Sequence, residues 1–295
     1  MIEKIYIPTV NRVNNQITFN NLPKELQDRV VMVVQSWERD QYHYKCDYLV
    51  LPEELNLSDY YCLAKTRKII YENAGPIKYC VLDDDIKFIM KNKKYWSDEE
   101  DNWLPINPRT GNPRTQKNCD DQDMLNMFNL FDSWLDEVSF CGCMMAGIVP
   151  PNYEYKDYRP IFSQLFLNGA DLYPRLNEFD LTSVRYDEDC YFLLQMMSKG
   201  FKSRESIRYN AMNESAKKGT KVKETLWEET TAQDVLDCYT VIEEKFPEFY
   251  HIVNDGSAFR GFVSKKVEWK KVYDRYVNDK RLQDWCKDQL KKIKK

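Results

Sequence analysis

The chain has 295 residues, of which 43% are apolar and 14% aromatic, and it carries a formal net charge of −4. This length is enough to bury one large core, and 9 glycines and 12 prolines are too few for a collagen-like or low-complexity chain. The slightly acidic balance does not indicate a general nucleic-acid binder, although residues 264–295 hold twelve Lys or Arg against five Asp or Glu.

The N-terminal residues begin a strand-like run, without the basic and apolar regions of a secretion signal. No apolar stretch approaches the roughly 20 residues that are needed to cross a bilayer. We therefore expect a soluble, monomeric, cytoplasmic protein with no membrane partner.

The first ninety residues alternate between apolar, strand-like runs and helix-like segments. The run at 29–34 is rich in β-branched residues, which is typical of a strand buried on both faces. Strand-helix-strand units of this length predict a mostly parallel sheet flanked by helices, in which ligands gather at the carboxyl ends of the strands. The predicted strands are 4–8, 29–34, 47–51 and 77–82, and the predicted helices are 17–26, 37–44 and 58–73.

The remainder of the chain has a more varied pattern. Residues 91–118 are polar and contain several prolines, which predicts a long lid or binding loop. The later predicted elements are a helix at 120–138, a strand or hairpin at 139–149, a tight hairpin at 161–173, a helix at 187–198 that stops at Gly200, a strand at 201–209 and helices over 230–295. The expected fold class is α/β, with a catalytic domain over 1–225 and a basic, helical C-terminal extension over 226–295 packed on it.

Three carboxylates, Asp83, Asp84 and Asp85, directly follow the predicted strand 77–82. Because side chains alternate along a strand, we expect the outer two to share one face and the middle one to point away. Two carboxylates suit Mg²⁺ or Mn²⁺, and such an ion holds a diphosphate and neutralises the charge that grows on it as it leaves. The alternative is a solvated acidic turn without a ligand.

A second acidic group, Asp187-Glu188-Asp189, opens the predicted helix 187–198. Acidic residues at a helix start are also explained by capping and by the helix dipole. Beside a metal-bound leaving group, however, a carboxylate such as Asp189 can take the proton from an attacking hydroxyl, so it is a candidate general base.

Several short motifs occur in an order and spacing that resemble a known family. They are residues 4–12, the Leu22-Pro23 pair, the Val50-Leu51-Pro52 run, Thr66-Arg67, residues 81–88, and the Glu188-Asp189 helix with Gly200. Together they resemble the TET-associated glycosyltransferases, which are GT-A enzymes encoded mainly by phages and include proteins similar to arabinosyltransferases that modify 5-hydroxymethylcytosine in DNA. The resemblance covers roughly residues 4–210 and implies a Rossmann-like GT-A fold, a UDP-sugar donor and a Mn²⁺ or Mg²⁺ cofactor.

The resemblance also implies roles for individual residues. It implies that Pro8, Thr9 and Arg12 contact the nucleotide, that Arg67 contacts the diphosphate, that Asp83 and Asp85 bind the metal, and that Asp189, beside Glu188, is the base. From the triplet itself, we expect Asp84 to face the nucleotide or to brace the turn. Each of these residues also has a structural explanation, as a strand end, a cap or an ion pair. The family's further metal ligand after the last strand has no clear counterpart in residues 209–215, and the sequence does not decide which of Glu188 and Asp189 points inward.

Lysines interleaved with aromatic residues follow the acidic triplet. Candidate contacts to nucleic acid are Lys87, Lys91, Lys93 and Lys94, because basic residues alternating with stacking surfaces suit a nucleic-acid groove. A solvated, lysine-rich loop explains the same pattern. The resemblance favours DNA containing a hydroxymethylated pyrimidine as the acceptor.

The sequence and the resemblance together predict an inverting DNA glycosyltransferase that acts in an infected bacterial host. It would move arabinose, or in second place glucose, from UDP-arabinose or UDP-glucose to the hydroxymethyl group of 5-hydroxymethylcytosine. Two alternatives stay open: a GT-A enzyme that acts on a protein or glycan, and a nucleotidyltransferase or nuclease that uses the carboxylates for two-metal chemistry.

Overall fold

The computed structural model describes residues 1–55, 62–92, 115–145, 154–158, 164–214, 231–253 and 264–278. In this part of the chain a 10-stranded mixed sheet is flanked by helices, and two further strands form a hairpin. The fold is therefore α/β, compatible with a Rossmann-like architecture. The strands are β1 Lys4–Pro8, β2 Val30–Val34, β3 Asp47–Val50, β4 Lys78–Leu82, β5 Ile86–Lys91, β6 Gln116–Asn118, β7 Phe140–Met145, β8 Tyr155–Lys156, β9 Gln164–Asn168, β10 Ser203–Asn213, β11 Tyr250–Val253 and β12 Ser264–Val267.

The helices cover both faces of the sheet. They are α1 Ile17–Asn21, α2 Lys24–Gln27, α3 Cys62–Ala74, α4 Asp121–Trp134, α5 Gly169–Leu172, α6 Glu188–Ser198, α7 Ala232–Lys245 and α8 Trp269–Val272, with 3₁₀ turns at Ser36–Gln41 and Tyr173–Glu178 and a π-helical turn at Tyr273–Val277. No helix among these described residues is both long enough and apolar enough to span a bilayer.

The strand order across the sheet is β3-β2-β1-β4-β9-β7-β10-β5-β6, with β8 paired to β10. Strands β1 to β4 are mutually parallel, as the sequence predicted, whereas β9 and β5 run antiparallel to their neighbours. The chain moves outward from β1 to β3 and then returns to place β4 on the other side of β1. This reversal makes the carboxyl ends of β1 and β4 a topological switch point, where open α/β sheets bind ligands.

Two hydrophobic clusters cover the two faces of the sheet. Along β1, Tyr6 faces the cluster that contains α3 and α6, whereas Ile5 and Ile7 face the cluster that contains α1 and α4. All five residues of β2 are buried, which agrees with the prediction from its β-branched run. Burial on both faces fixes the strand register, so the ends of β1 and β4 are held in place by the core.

Several predicted elements differ from the observed ones. Pro23 divides the predicted helix 17–26 into α1 and α2, and the predicted helix 37–44 is a 3₁₀ turn. Strands β5 and β6 were not predicted, and the predicted hairpin at 161–173 is instead β9 followed by the short helix α5. The helix at 187–198 and its stop at Gly200, which has a φ of 85°, are confirmed.

The sequence predicted helices throughout the C-terminal segment, but the structure shows that this segment is not wholly helical. Helix α7 begins with a capping box between Thr231 and Asp234, but β11 and β12 then form an antiparallel hairpin. Val235 and Ile242 of α7 share a hydrophobic cluster with α6, so this part packs on the sheet domain. The predicted boundary at 225/226 lies outside the described residues, as does 279–295.

Candidate functional site

The acidic triplet forms the turn between β4 and β5, and Thr18 of α1 holds this turn. The Thr18 hydroxyl donates to the carbonyl of Asp83 and accepts from the amide of Ile86 at 2.8 Å, while the Thr18 amide donates to the carbonyl of Asp84 at 3.0 Å. Thr18 is 1% exposed, so water does not compete for these bonds. Thr18 was not predicted as a site residue, because its partners lie more than sixty positions away in the chain.

Asp84 is held by the loop that follows β1. Its carboxylate accepts from Thr9 Oγ1 at 2.7 Å and from Arg12 Nη1 at 2.6 Å, and Gln16 Nε2 donates to Thr9 Oγ1 at 2.7 Å. Burial raises the pKa of Asp84 to about 6, against the opposing effects of Arg12 and Thr9. Asp84 thus braces the turn, as one of the two predicted roles requires. Pro8 is the last residue of β1 and directly precedes this loop.

The alternation predicted for the triplet does not apply, because Asp83, Asp84 and Asp85 lie in a turn and not in a strand. Asp85 Oδ2 is 3.4 Å from Arg12 Nη1, so Asp85 lies near the same guanidinium as Asp84. Asp83 instead interacts with Arg67 of α3. Burial raises the pKa of Asp83 to about 7, Arg67 opposes this rise, and the charges of Asp85, Asp84 and Asp189 add to it.

Arg67 joins the acidic turn to the second acidic group. Its Nε donates to Glu188 Oε1 at 3.2 Å, and the carboxylates of Glu188, Asp189 and Asp83 raise the pKa of Arg67 although burial disfavours its charge. Burial and the charge of Asp189 raise the pKa of Glu188. The prediction that the two distant acidic groups lie in one site is therefore supported by their shared arginine.

Glu188 and Asp189 differ in their contacts. The Glu188 side chain is 12% exposed and is paired with Arg67, whereas Asp189 Oδ1 accepts from the amide of Cys190 at 2.7 Å. The charge of Asp189 acts on Asp83, so it lies near the acidic turn. Of the two carboxylates, Glu188 is held by an ion pair, and Asp189 is the better candidate for proton transfer.

Two non-glycine residues with left-handed backbone flank this site. Asn11, in the loop after β1, has a φ of 57°, and its amide donates to Glu38 Oε2 at 2.9 Å. Asp187, directly before α6, has a φ of 65°. Such backbone costs energy and is often retained where it positions functional groups. Neither conformation, nor the buried Glu38 that supports Asn11, was predicted from the sequence.

The candidate nucleic-acid contacts have different surroundings. Lys87 has a side chain 34% exposed and lies 3.5 Å from Glu214 Oε2. Lys91 is only 5% exposed, and burial lowers its pKa while the charge of Glu205 opposes this shift, so a nucleic-acid contact at Lys91 stays a prediction. Lys93 and Lys94 lie outside the described residues.

The described residues contain no group of three or more His, Cys, Asp or Glu side chains arranged to hold a metal ion. Asp83 and Asp85 nevertheless suit a hard divalent cation, which is commonly bound by one or two carboxylates together with substrate phosphates. Burial is the main cause of the raised pKa of Asp83, and the negative charges of Asp85, Asp84 and Asp189, which a cation would offset, add to it. The Glu214 amide donates to the Asp85 carbonyl at 2.9 Å, so the end of β10 lies beside the acidic turn. This is the region in which the sequence showed no clear further metal ligand.

No family model matches this chain, and no curated protein sequence matches it.

Proposed function

We propose that this protein is a cation-assisted glycosyltransferase that uses a nucleotide-sugar donor. The observation that carries the proposal is the meeting of Asp83, Arg67 and the Glu188-Asp189 pair at the switch point of the sheet. A donor with a diphosphate requires positive charge for its leaving group, and an acceptor hydroxyl requires a base nearby. This site has both kinds of group.

The donor side is formed by β1, β4 and α3. The loop with Thr9 and Arg12 borders the nucleotide, and Arg67 contacts the diphosphate. Asp83 and Asp85 would hold Mg²⁺ or Mn²⁺, which supplies charge neutralisation for the departing diphosphate. Since Asp84 is engaged by Thr9 and Arg12, its role is to fix the turn that presents Asp83.

The acceptor side is formed by the start of α6. Asp189 takes the proton of the acceptor hydroxyl, and the oxygen then forms a bond to the anomeric carbon. The bond from this carbon to the diphosphate oxygen breaks, and its electron pair leaves with the nucleoside diphosphate. Attack opposite the leaving group inverts the anomeric carbon. Glu188 keeps Arg67 oriented through their ion pair.

The acceptor that we propose is the hydroxymethyl group of 5-hydroxymethylcytosine in DNA, with arabinose as the first sugar and glucose as the second. This part of the proposal rests on the motifs that resemble the TET-associated glycosyltransferases. Lys87, with its partly exposed side chain, remains a candidate phosphate contact. A basic residue there would position the DNA and would not select its sequence.

In the acceptor assay, the protein is incubated with Mn²⁺, a panel of UDP-sugars and DNA with or without hydroxymethylcytosine. The masses of the released nucleosides are then measured by mass spectrometry. We expect a pentose mass gain on hydroxymethylcytosine alone. Donor turnover without any gain on DNA would contradict the DNA acceptor and favour a protein or glycan. Cleaved DNA or nucleotide without sugar transfer would favour phosphoryl chemistry.

A further inference from the structure

Asp187 has an unusual position at the start of α6. It occupies the N-cap site with φ 65° and ψ 23°, yet its side chain makes no capping hydrogen bond to the helix. Asp at an N-cap normally accepts from the amides of the first turn. Left-handed backbone is uncommon for residues other than glycine, although Asp and Asn tolerate it best. The Asp187 carboxylate is engaged elsewhere.

The partners of Asp187 belong to the C-terminal hairpin. Tyr250 of β11 donates its hydroxyl to Asp187 Oδ2 at 3.0 Å, and Lys265 of β12 donates its ammonium to Oδ1. The Asp187 side chain is 10% exposed, so this ion pair is largely shielded from water. Lys265 also lies 5.5 Å from the ring centre of Tyr239 in α7. The Asp187 carboxylate thus connects the hairpin to the start of α6, and Lys265 adds a contact with α7.

The same residue controls the first turn of α6 through its backbone. The Tyr191 amide donates to the Asp187 carbonyl at 2.9 Å, which is the first hydrogen bond of the helix. Glu188 and Asp189 follow Asp187 directly and lie within this turn. A rotation of the backbone at Asp187 therefore changes the direction of both carboxylates relative to Arg67 and the acidic turn.

We propose that Tyr250 and Lys265 are positioning residues, and that the C-terminal hairpin fixes the direction of the Glu188 and Asp189 carboxylates by holding Asp187. The catalytic consequence rests on the proposed function, whereas the ordering of the helix start does not. In this account the hairpin is a structural component of the site, because it orients two of the site's carboxylates.

Hydrogen exchange tests the ordering without any activity. The full-length variants are Lys265→Met and Tyr250→Phe, and the matched control is Lys266→Met, which changes a 64% exposed neighbour on the same strand. We expect roughly tenfold faster exchange in peptides covering 187–193 for the first two variants, with α4 unchanged as an internal reference. Unchanged exchange at 187–193 would overturn the proposal. If Lys265→Met does not fold, the exchange measured in Tyr250→Phe, which removes only one hydroxyl, decides whether the proposal holds.

Kinetics test the consequence for the reaction. We expect kcat to fall roughly tenfold to a hundredfold in Lys265→Met, because misplacement of a base affects the chemical step, with a smaller rise in KM for the UDP-sugar, because Glu188 orients Arg67. Lys265→Arg keeps the charge and should restore most of kcat. An equal loss in Lys266→Met, or a loss confined to KM, would contradict positioning. If the wild-type protein transfers no sugar, the proposed function fails, while the exchange experiment still decides the role of the hairpin.

Discussion

Arg67 of α3 and Glu188 of α6 form an ion pair across 121 positions of sequence, with Nε 3.2 Å from Oε1. Their side chains are only 20% and 12% exposed, and Asp189 and Asp83 lie within electrostatic range of the same guanidinium. The pair therefore balances a site in which several carboxylates repel one another. A buried charge that loses its partner is costly, so this relationship can be tested by removing one member or both.

Replacing Arg67 by Met leaves Glu188 and its neighbours without their cation. We expect a loss of roughly 2 kcal/mol or more in the free energy of unfolding in urea. The double variant Arg67→Met/Glu188→Gln should recover part of that stability, because the charge that was paired directly with Arg67 is then absent while those of Asp83 and Asp189 remain. Both variants should fail to bind a UDP-sugar. A single variant as stable as the wild type would show that the pair does not balance the site.

Replacing Thr18 by Val removes the hydroxyl that bonds the Asp83 carbonyl and the Ile86 amide. We expect a destabilisation of about 1–3 kcal/mol, because a buried amide and a buried carbonyl lose their partner. Cation-dependent binding of UDP should weaken as well, since the acidic turn is released. The control is Thr240→Val, which removes only a bond to the Leu236 carbonyl within α7. Equal effects of the two variants on UDP binding would contradict a role of Thr18 at the site.

The stability of the metal-free protein should depend on the ionisation of Asp83. Its pKa of about 7 in the folded protein exceeds the ordinary value of 3.8, so its contribution to stability is complete below pH 3.8, falls as pH rises from there, and is lost once pH has passed about 7. We expect the Tm to fall between pH 5 and pH 8, and to fall less in Asp83→Asn. Mn²⁺ should raise the Tm at pH 8 in the wild type but not in the variant.

The control for this pH dependence is Asp237→Asn, on the exposed face of α7. It should leave both the pH dependence of the Tm and the response to Mn²⁺ unchanged. Asp84 and Glu188 have pKa values shifted in the same direction, so Asp83→Asn should reduce the slope without abolishing it. An identical slope in Asp83→Asn and the wild type would mean that Asp83 is not the group that titrates.

Replacing Asp189 by Asn removes the proposed base while keeping its size. We expect sugar transfer to fall about 10²- to 10⁴-fold, the range for a general base, with little change in UDP affinity. Glu188→Gln should instead reduce donor binding, because Arg67 loses the partner that orients it. Steady-state kinetics and calorimetry separate the two effects. Transfer at the wild-type rate in Asp189→Asn would exclude Asp189 as the base.

The sequence predicted the strands of the parallel half well, because the apolar runs of β1, β2 and β4 are mostly buried and β3 is an edge strand between clear helix-like segments. Observed strands β1 to β4 lie within one residue of their predicted ends. Strand β5 was missed because Lys87 and Lys91 suggested a solvated loop, whereas Lys91 is buried. The sequence predicted helix over strand β12, because the two lysines of this strand continue the basic pattern of the tail that follows it.

The residues of the site were predicted less evenly. The sequence indicated both acidic groups, because each stands at an element boundary where carboxylates are chemically informative. It did not indicate Thr18, Gln16, Tyr250 or Lys265, because their roles arise from contacts between elements that are distant in the chain. The pairing of each carboxylate with its arginine also depends on the geometry of the turn after β4. The alternation of side chains along a strand does not predict this geometry.

The most direct test of the site is the binding of UDP, measured by calorimetry with and without Mn²⁺. The wild type should bind UDP at least about tenfold more tightly when Mn²⁺ is present, because the cation links the carboxylates to the diphosphate. A folded Asp83→Asn protein should lose this difference, and Asp237→Asn should keep it. UDP binding that is absent under both conditions, or that is equal with and without Mn²⁺ in the wild type, would contradict a cation-assisted nucleotide-sugar site at Asp83.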